Sequence, residues 1–261
     1  MDRQYYQEYF SIERNHWWFR VRASIIIDHL KRITLKNDIP RILNIGAATG
    51  ASTSMLEQFG DVISTEYDEL SSITTSKEQG ITVINCSILN LPFENNLFDL
   101  VCAFDVIEHV ADDREAIVEM KRVCKGGGII CITVPALMML WSHHDVVNKH
   151  YRRYRSRDLE SLFESGNDGE AIYLTYFNTI LFPLISIFRL LSGVFPASLI
   201  RHGAGSDFTI VRHKNPINRI FGAIFSLERI VLKRFTFKVG TSILFSWRKS
   251  YPVSLPSDQH P

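Results

Sequence analysis

Five strand-like runs mark the first half of the chain: RILNI (41–45), DVISTE (61–66), ITVINC (81–86), FDLVCAF (98–104) and IICITV (129–134). They are largely continuous apolar runs and do not alternate, the pattern of strands buried on both faces, as in a parallel sheet held between helix layers. Helical patterns separate them. STSMLEQF has Ser52 or Thr53 near its start, ELSSITTSKEQG is stopped by Gly80, and DDREAIVEMKRVC is ended by Gly126–Gly128. The order strand, helix, strand, helix, strand, strand, helix, strand predicts a doubly wound α/β fold, whose ligands bind beyond the C-terminal strand ends.

The flanks extend this frame. Residues 2 to about 36 read as helical, with Tyr5, Tyr6, Tyr9, Phe10, Trp17, Trp18 and Phe19 near the start. Ser156 to Ser165 reads as a helix capped by Ser156. Ala171–Phe177 reads as a sixth strand, helical segments fill roughly 178–200 and 215–235, and Val239–Trp247 is a final strand. The expectation is a seven-stranded, mostly parallel sheet with N-terminal helices and a helical cap inserted before the last strand. In residue ranges, it is an N-terminal lid (1–36), an α/β core (37–177), a cap (178–236), the last strand (237–250) and a disordered tail (251–261).

Charge adds one local feature. The net charge of the 261 residues is +1, which points to no particular partner, but eleven Lys/Arg lie between Arg189 and Lys249 against only Asp207 and Glu228. A basic surface over a helical core accounts for this; so does contact with an anionic membrane or substrate through 178–235. Within that region Ala171–Phe188 runs eighteen residues without a charge, the lower limit for a membrane span. Asn178 and Pro183 favour a strand followed by a buried or interfacial helix. Cys86, Cys102, Cys124 and Cys131 form no CxxC pair, and the polar, aromatic N-terminus is no signal peptide. These features predict a reducing, cytoplasmic location, with peripheral contact at the inner membrane face as its companion.

The candidate chemistry begins at the first strand end. The turn Gly46-Ala47-Ala48-Thr49-Gly50 combines a tight backbone turn with close packing of the next helix. Sixteen residues past Gly50, Glu66 ends the second strand, where an acid can accept hydrogen bonds from both ribose hydroxyls. Loop and acid together point to an adenosine-type ligand. From Gly46 the chain reads G-A-A-T-G-A, which does not match the G-x-G-x-x-G of a nicotinamide dinucleotide site.

The landmarks ILNIGAATG, STEYD, LPFENNLFDLV, FDVIEHV and EMKRVCKGGGIICITVP follow in order over about residues 41–135. On these the chain resembles the class I S-adenosylmethionine-dependent methyltransferases, of the broad group acting on small molecules. The resemblance implies the Rossmann-like methyltransferase fold and S-adenosylmethionine as cofactor. It also implies roles. Gly46, Ala47, Ala48 and Gly50 would pass the methionine part; Glu66 would hold the ribose with Tyr67 beside the adenine; Ser87 and Ile88 would meet the adenine edge. Asp105, Val106 and His109 would lie near the methionine end.

Two letters depart from the family. Asn44 stands where an acid is usual and would anchor the cofactor's ammonium without charge assistance, a loss of roughly 1–2 kcal/mol. Ala48 stands where glycine is usual, and costs about 1–2 kcal/mol if its φ is positive. Both should weaken binding without abolishing it.

Methyl transfer from a sulfonium is an in-line displacement, so the protein mainly aligns the acceptor. A hydroxyl acceptor also needs its proton removed. After Pro135 the stretch ALMMLWSHHDVVNKHYRRYR leaves the fifth strand, where the family places acceptor contacts, and resembles members linked with glycan or lipid pathways. His144 with Asp145, and His143 beside them, are the expected base or orienter. His150, Arg152 and Arg153, with Trp141 and Trp18, are the expected substrate contacts, the basic groups suiting an anionic moiety. HWWFRVR (His16 to Arg22) would pack the N-terminal helix on the sheet or close over the acceptor as a lid. Asp105, Glu108 and His109 have a D-x-x-E-H spacing that would gather three ligands near one helix start. The same EHV is common in metal-free relatives, so no metal is expected.

The expected function is thus methyl transfer to a small-molecule acceptor, most simply a hydroxyl of a glycan, a lipid-linked intermediate or a natural product. The rivals are a silent methyltransferase-like scaffold and an enzyme using the bound cofactor for other chemistry. No Asn-Pro-Pro-Tyr-type tetrad follows the fourth strand, so no nucleic-acid partner is expected. Oligomeric state is not legible.

Overall fold

The computed structural model describes residues 3–33, 39–164, 168–192 and 215–251. Arg201, Asp207, Arg212 and Lys214 of the basic segment, and most of the tail, lie outside these. The first ordered element is α1 (Arg3–Asn15), followed by α2 (Trp17–Leu30). The helical run expected over residues 2 to about 36 is divided at His16. Its backbone is extended, its Nδ1 accepts from Trp18 N at 3.3 Å, and the freed N–H of Trp17 is taken by Asn218 Oδ1 at 2.9 Å. A cap and a distant acceptor satisfy the donors that a continuous helix would have bonded internally.

The core runs β1 (Arg41–Ile45), α3 (Ala51–Leu56), β2 (Asp61–Glu66), α4 (Glu69–Gln79), β3 (Val83–Asn85), β4 (Phe98–Phe104), α5 (Asp113–Val123) and β5 (Cys124–Pro135). Then come α6 (His143–Val147), α7 (Ser156–Phe163), β6 (Gly169–Phe177), α8 (Phe182–Ser192), α9 (Pro216–Leu232) and β7 (Ser242–Lys249). The seven strands form one sheet in the order β3-β2-β1-β4-β5-β7-β6. The pairs among β1 to β5 are parallel, and β7 enters antiparallel between β5 and β6. Every residue of β4 and Ile42–Ile45 of β1 are buried, the reason these strands read as unbroken apolar runs. Helix α7 begins at Ser156, with Arg155, not Ser156, in the cap position. Strand β5 starts at Cys124, so the glycines expected to end α5 lie inside the strand.

Apolar side chains pack on both sheet faces. Phe98, Ile117, Met120, Ile130 and Phe245 belong to one core; Ile26, Leu56, Leu100, Cys131 and Phe225 belong to the other. The second core includes α2 and α9, which pack against one another and so bring the N-terminal helices and the late helices over the same sheet face. Among the described residues no helix is long and apolar enough to cross a membrane. The eighteen-residue uncharged stretch divides into β6, a turn and the start of α8.

Candidate active site

The parallel strands β1, β2 and β4 deliver their C-terminal ends to one edge. After β1, Gly46 (φ +76°) and Gly50 (φ +87°) take left-handed conformations. A methyl on Gly46 would come within 2.5 Å of Val106 Cγ2, so the loop after β1 and the chain leaving β4 abut. Ala48 is also left-handed (φ +46°), the strained alternative for a residue with a Cβ. The surrounding structure holds it there: its N–H donates to Glu66 Oε2 at 2.9 Å, and its carbonyl accepts from Thr75 Oγ1 at 2.6 Å. Glu66 also accepts from the N–H of Asp68 at 2.9 Å, which fixes the carboxylate at the end of β2. Tyr67 beside it is exposed, Ser87 is half-buried, and Ile88 is buried after β3.

Asn44 does not reach this surface. It is fully buried, and its amide nitrogen donates to Ser52 Oγ and Thr53 Oγ1, each at 3.0 Å. Its Oδ1 has no hydrogen-bond partner among the described residues. Through these bonds Asn44 ties β1 to α3 beneath the loop.

The N-terminal helices add charged groups that the sequence reading passed over. Glu13 accepts a hydrogen bond from Thr49 Oγ1 in the loop, and Arg14 donates to the Thr49 carbonyl at 3.0 Å. Burial raises the Glu13 carboxyl above its ordinary range. Arg22 of α2 pairs with Asp105, the residue after β4, and donates to Thr133 Oγ1 of β5 at 3.1 Å. Asp105 itself is left-handed (φ +57°). The only sequence signal for these contacts is that Glu13, Arg14 and Arg22 lie among the aromatic residues of the N-terminal helices.

A cavity of about 470 Å³ opens beyond β4 and β5 under α2, α8 and α9. Trp17, Trp18, Leu184, Phe188, Ile217 and Phe221 form its apolar wall. The opposite wall carries Asp105, Glu108, His109, His144, His150 and Arg153. The structure thus brings Asp105, His109, His144, His150, Arg153 and Trp18 together on one cavity. His143 is exposed and lies outside it, as does Trp141. Arg152 is also elsewhere, paired with Asp113 at 2.7 Å and donating to the Ala111 carbonyl at 2.6 Å.

Asp145 does not serve its neighbour His144. Its Oδ1 lies 2.9 Å from His150 Nδ1 and 2.8 Å from Arg153 Nε, and its Oδ2 accepts from the Ser142 N–H at 2.8 Å. It is fully buried, yet the imidazole, the guanidinium and the N–H hold its pKa far below the usual carboxylate range. A carboxylate held ionised so firmly is an orienting group, not a base. His144 is buried on the cavity wall, its ring nitrogens 3.3 and 3.4 Å from the Asn148 amide nitrogen. The His109 and His150 rings meet edge to face at 4.6 Å. His109 is exposed and lines the cavity, and desolvation by its surroundings lowers its pKa to about 4. Glu108 is fully buried and raised well above its ordinary range by desolvation and by Asp105; neither carboxylate oxygen has a hydrogen-bond partner among the described residues.

Comparison with known proteins agrees with this geometry. A family model described as a methyltransferase domain matches residues 43–132. An uncharacterized methyltransferase of Schizosaccharomyces pombe is 35% identical over 108 residues, 35% of this chain and 38% of that protein. A probable S-adenosylmethionine-dependent methyltransferase of Mycobacterium tuberculosis is 25% identical over 156 residues, 58% of this chain and 56% of that protein. The chain therefore spans about half the length, or less, of these two relatives. The crystal structure of a putative methyltransferase from Bacillus halodurans superposes with a TM-score of 0.56 at 16% identity, covering 86% of this chain and 98% of that one, a likeness of fold. Loop, acid, strand order and matched domain agree: over residues 43–132 the chain is similar to the methyltransferase domain of S-adenosylmethionine-dependent enzymes, a likeness that implies S-adenosylmethionine as the cofactor.

Proposed function

We propose that the protein transfers the methyl group of S-adenosylmethionine to a hydroxyl of an apolar small molecule seated in the cavity under α8 and α9. The observation that carries this is the contact between Gly46 and Val106, which sets the cofactor loop against the residues leading into the histidine-lined wall. On this reading Glu66 meets the ribose hydroxyls, and Tyr67, Ser87 and Ile88 flank the adenine. Glu13 and Asp105 supply the negative charge near the methionine end that Asn44 lacks.

The acceptor oxygen attacks the methyl carbon in line with its bond to sulfur. An O–CH₃ bond forms, the S–CH₃ bond breaks, and its electron pair returns to sulfur to give S-adenosylhomocysteine. The acceptor's proton passes to His144 and then to water. Alignment supplies most of the acceleration, and Trp17 and Trp18 exclude water from the reacting centre.

A lipid-linked acceptor is favoured by the outer face of the same helices. Leu184, Phe188 and Ile217 are at once cavity wall and exposed surface. On α9 and beyond it Ile230 is 68% and Phe235 67% exposed, among the exposed Arg219, Lys233, Arg234 and Lys238. Such a surface suits an anionic lipid interface.

The test is transfer of labelled methyl to hydroxylated amphiphiles in anionic and neutral vesicles. S-adenosylmethionine should bind, label should enter the lipid fraction, and His144→Ala should lower kcat by 100-fold or more. Failure to bind S-adenosylmethionine or S-adenosylhomocysteine would remove the enzyme reading altogether. Binding without label transfer would favour a silent scaffold or other chemistry on the cofactor.

A further inference from the structure

We infer that Glu108, His109 and His150 form a binding site for a divalent transition-metal ion, of the zinc or manganese kind, on the wall of the acceptor cavity. One ligand atom of each residue lies within 4.8 Å of the others, a spacing that a single ion can bridge. This departs from the sequence expectation of no metal. It also departs from the D-x-x-E-H grouping, because Asp105 is engaged by Arg22 and its place is taken by His150, forty-one residues after His109.

Three independent features point to a ligand. First, Glu108 is fully buried and both its carboxylate oxygens lack hydrogen-bond partners among the described residues, although the residue lines the cavity. A buried carboxyl normally finds donors; one left without them suits a cation. Second, His150 presents Nδ1 to the ionised Asp145 at 2.9 Å, so Nδ1 carries the hydrogen and Nε2 the lone pair of the neutral ring. A carboxylate behind an imidazole in this way is how ligating histidines are fixed in tautomer and orientation. Third, the His109 ring stands edge to face with that of His150, 4.6 Å between centroids, so the two imidazoles are already side by side. Asp145 is anchored in turn by Arg153 at 2.8 Å, so the outer groups are themselves fixed.

Two imidazoles and one carboxylate form a mixed donor set, preferred by zinc and similar first-row ions over the all-oxygen sets of magnesium and calcium. Three protein ligands leave coordination positions open to the cavity. A hydroxyl bound there would be acidified by the ion and would surrender its proton to His144 more readily. This last point rests on the methyl-transfer reading; the site itself does not.

The whole chain, stripped with a chelator, is titrated with Zn²⁺ and separately with Co²⁺, without cofactor or acceptor. Calorimetry should show one ion per chain, and Co²⁺ should develop the visible absorption of a four- or five-coordinate site. Glu108→Gln and His109→Ala should each weaken binding at least 100-fold while His143→Ala leaves it unchanged. Asp145→Asn should weaken it about tenfold by releasing His150. His109→Ala, at the most exposed ligand, keeps the test valid if Glu108→Gln does not fold. Absence of stoichiometric binding, or binding that survives both Glu108→Gln and His109→Ala, would overturn the site. Metal binding without methyl transfer sustains this inference while removing the proposed function. Methyl transfer by protein that binds no ion does the reverse.

Discussion

His150 Nδ1 lies 2.9 Å from Oδ1 of Asp145, and the backbone N–H of His150 bonds to the Asp145 carbonyl at the same distance. The two residues are joined twice, by side chain and by main chain, because the chain reverses at Lys149 (φ +56°) after the short helix α6. Arg153 completes the group on the same carboxylate oxygen. Asp145→Asn removes the carboxylate that the buried Arg153 and His150 share and should destabilise the fold by about 3 kcal/mol, read from urea unfolding. A loss below about 0.5 kcal/mol would mean that the pair contributes little.

The left-handed Ala48 makes a separate forecast. Glycine there relieves the Cβ strain and loses part of that gain to the greater freedom of the unfolded chain. Ala48→Gly should therefore stabilise the protein by up to about 1 kcal/mol, measured as a raised urea midpoint at constant slope. Asn44→Asp acts on charge instead. The Ser52, Thr53 and Ser64 hydroxyls around Asn44 can turn to donate to a carboxylate. Calorimetry should find S-adenosylmethionine bound about tenfold more tightly. An unchanged affinity would leave Glu13 and Asp105 as the source of negative charge.

Two buried groups give opposite pH trends. Burial raises Glu228 to about 7, although the Ile180 N–H donates to it at 2.7 Å. The folded state then holds a proton that the unfolded chain releases near 4.5. The stability from this group is complete below about pH 4.5 and is lost as pH rises through 7. His29, stacked on Tyr173 and bonded to Ser246 Oγ at 2.8 Å, is lowered to about 4 by burial. Its contribution is present above about 6.5 and is lost as pH falls toward 4. In the wild type the two slopes offset each other between about pH 4.5 and 6.5. Glu228→Gln should expose a stability that rises with pH over that interval, by on the order of 2–3 kcal/mol in total. Equal pH profiles for variant and wild type would contradict the burial argument.

Trp18 tests the N-terminal cover. Its ring lines the cavity and receives the Arg22 guanidinium at 5.2 Å. Trp18→Ala should raise the acceptor KM about tenfold, with kcat also reduced if water enters. Unchanged turnover at unchanged Tm would show that α2 packs without covering the acceptor.

The sequence by itself determined the order of strands and helices, the doubly wound sheet and the loop after β1. Those features are local: continuous apolar runs mark strands buried on both faces, and Gly46, Gly50 and Gly80 each take a left-handed conformation. Boundaries were less legible where distant groups intervene. Where the first helical run is interrupted at His16, the Trp17 N–H is taken by Asn218 of α9, two hundred and one residues away. Tertiary structure alone decided the chemistry of the cavity wall. Adjacency suggested His144 as the partner of Asp145, yet the reversal at Lys149 brings His150 onto the carboxylate. Asn44 faces hydroxyls beneath the loop, Arg22 reaches Asp105 across the sheet edge, and Glu108 and His109 gain His150 as a neighbour. Residue type and spacing state what a side chain is able to do; which group it meets depends on packing between segments far apart in the chain, and that information is not carried by any local stretch.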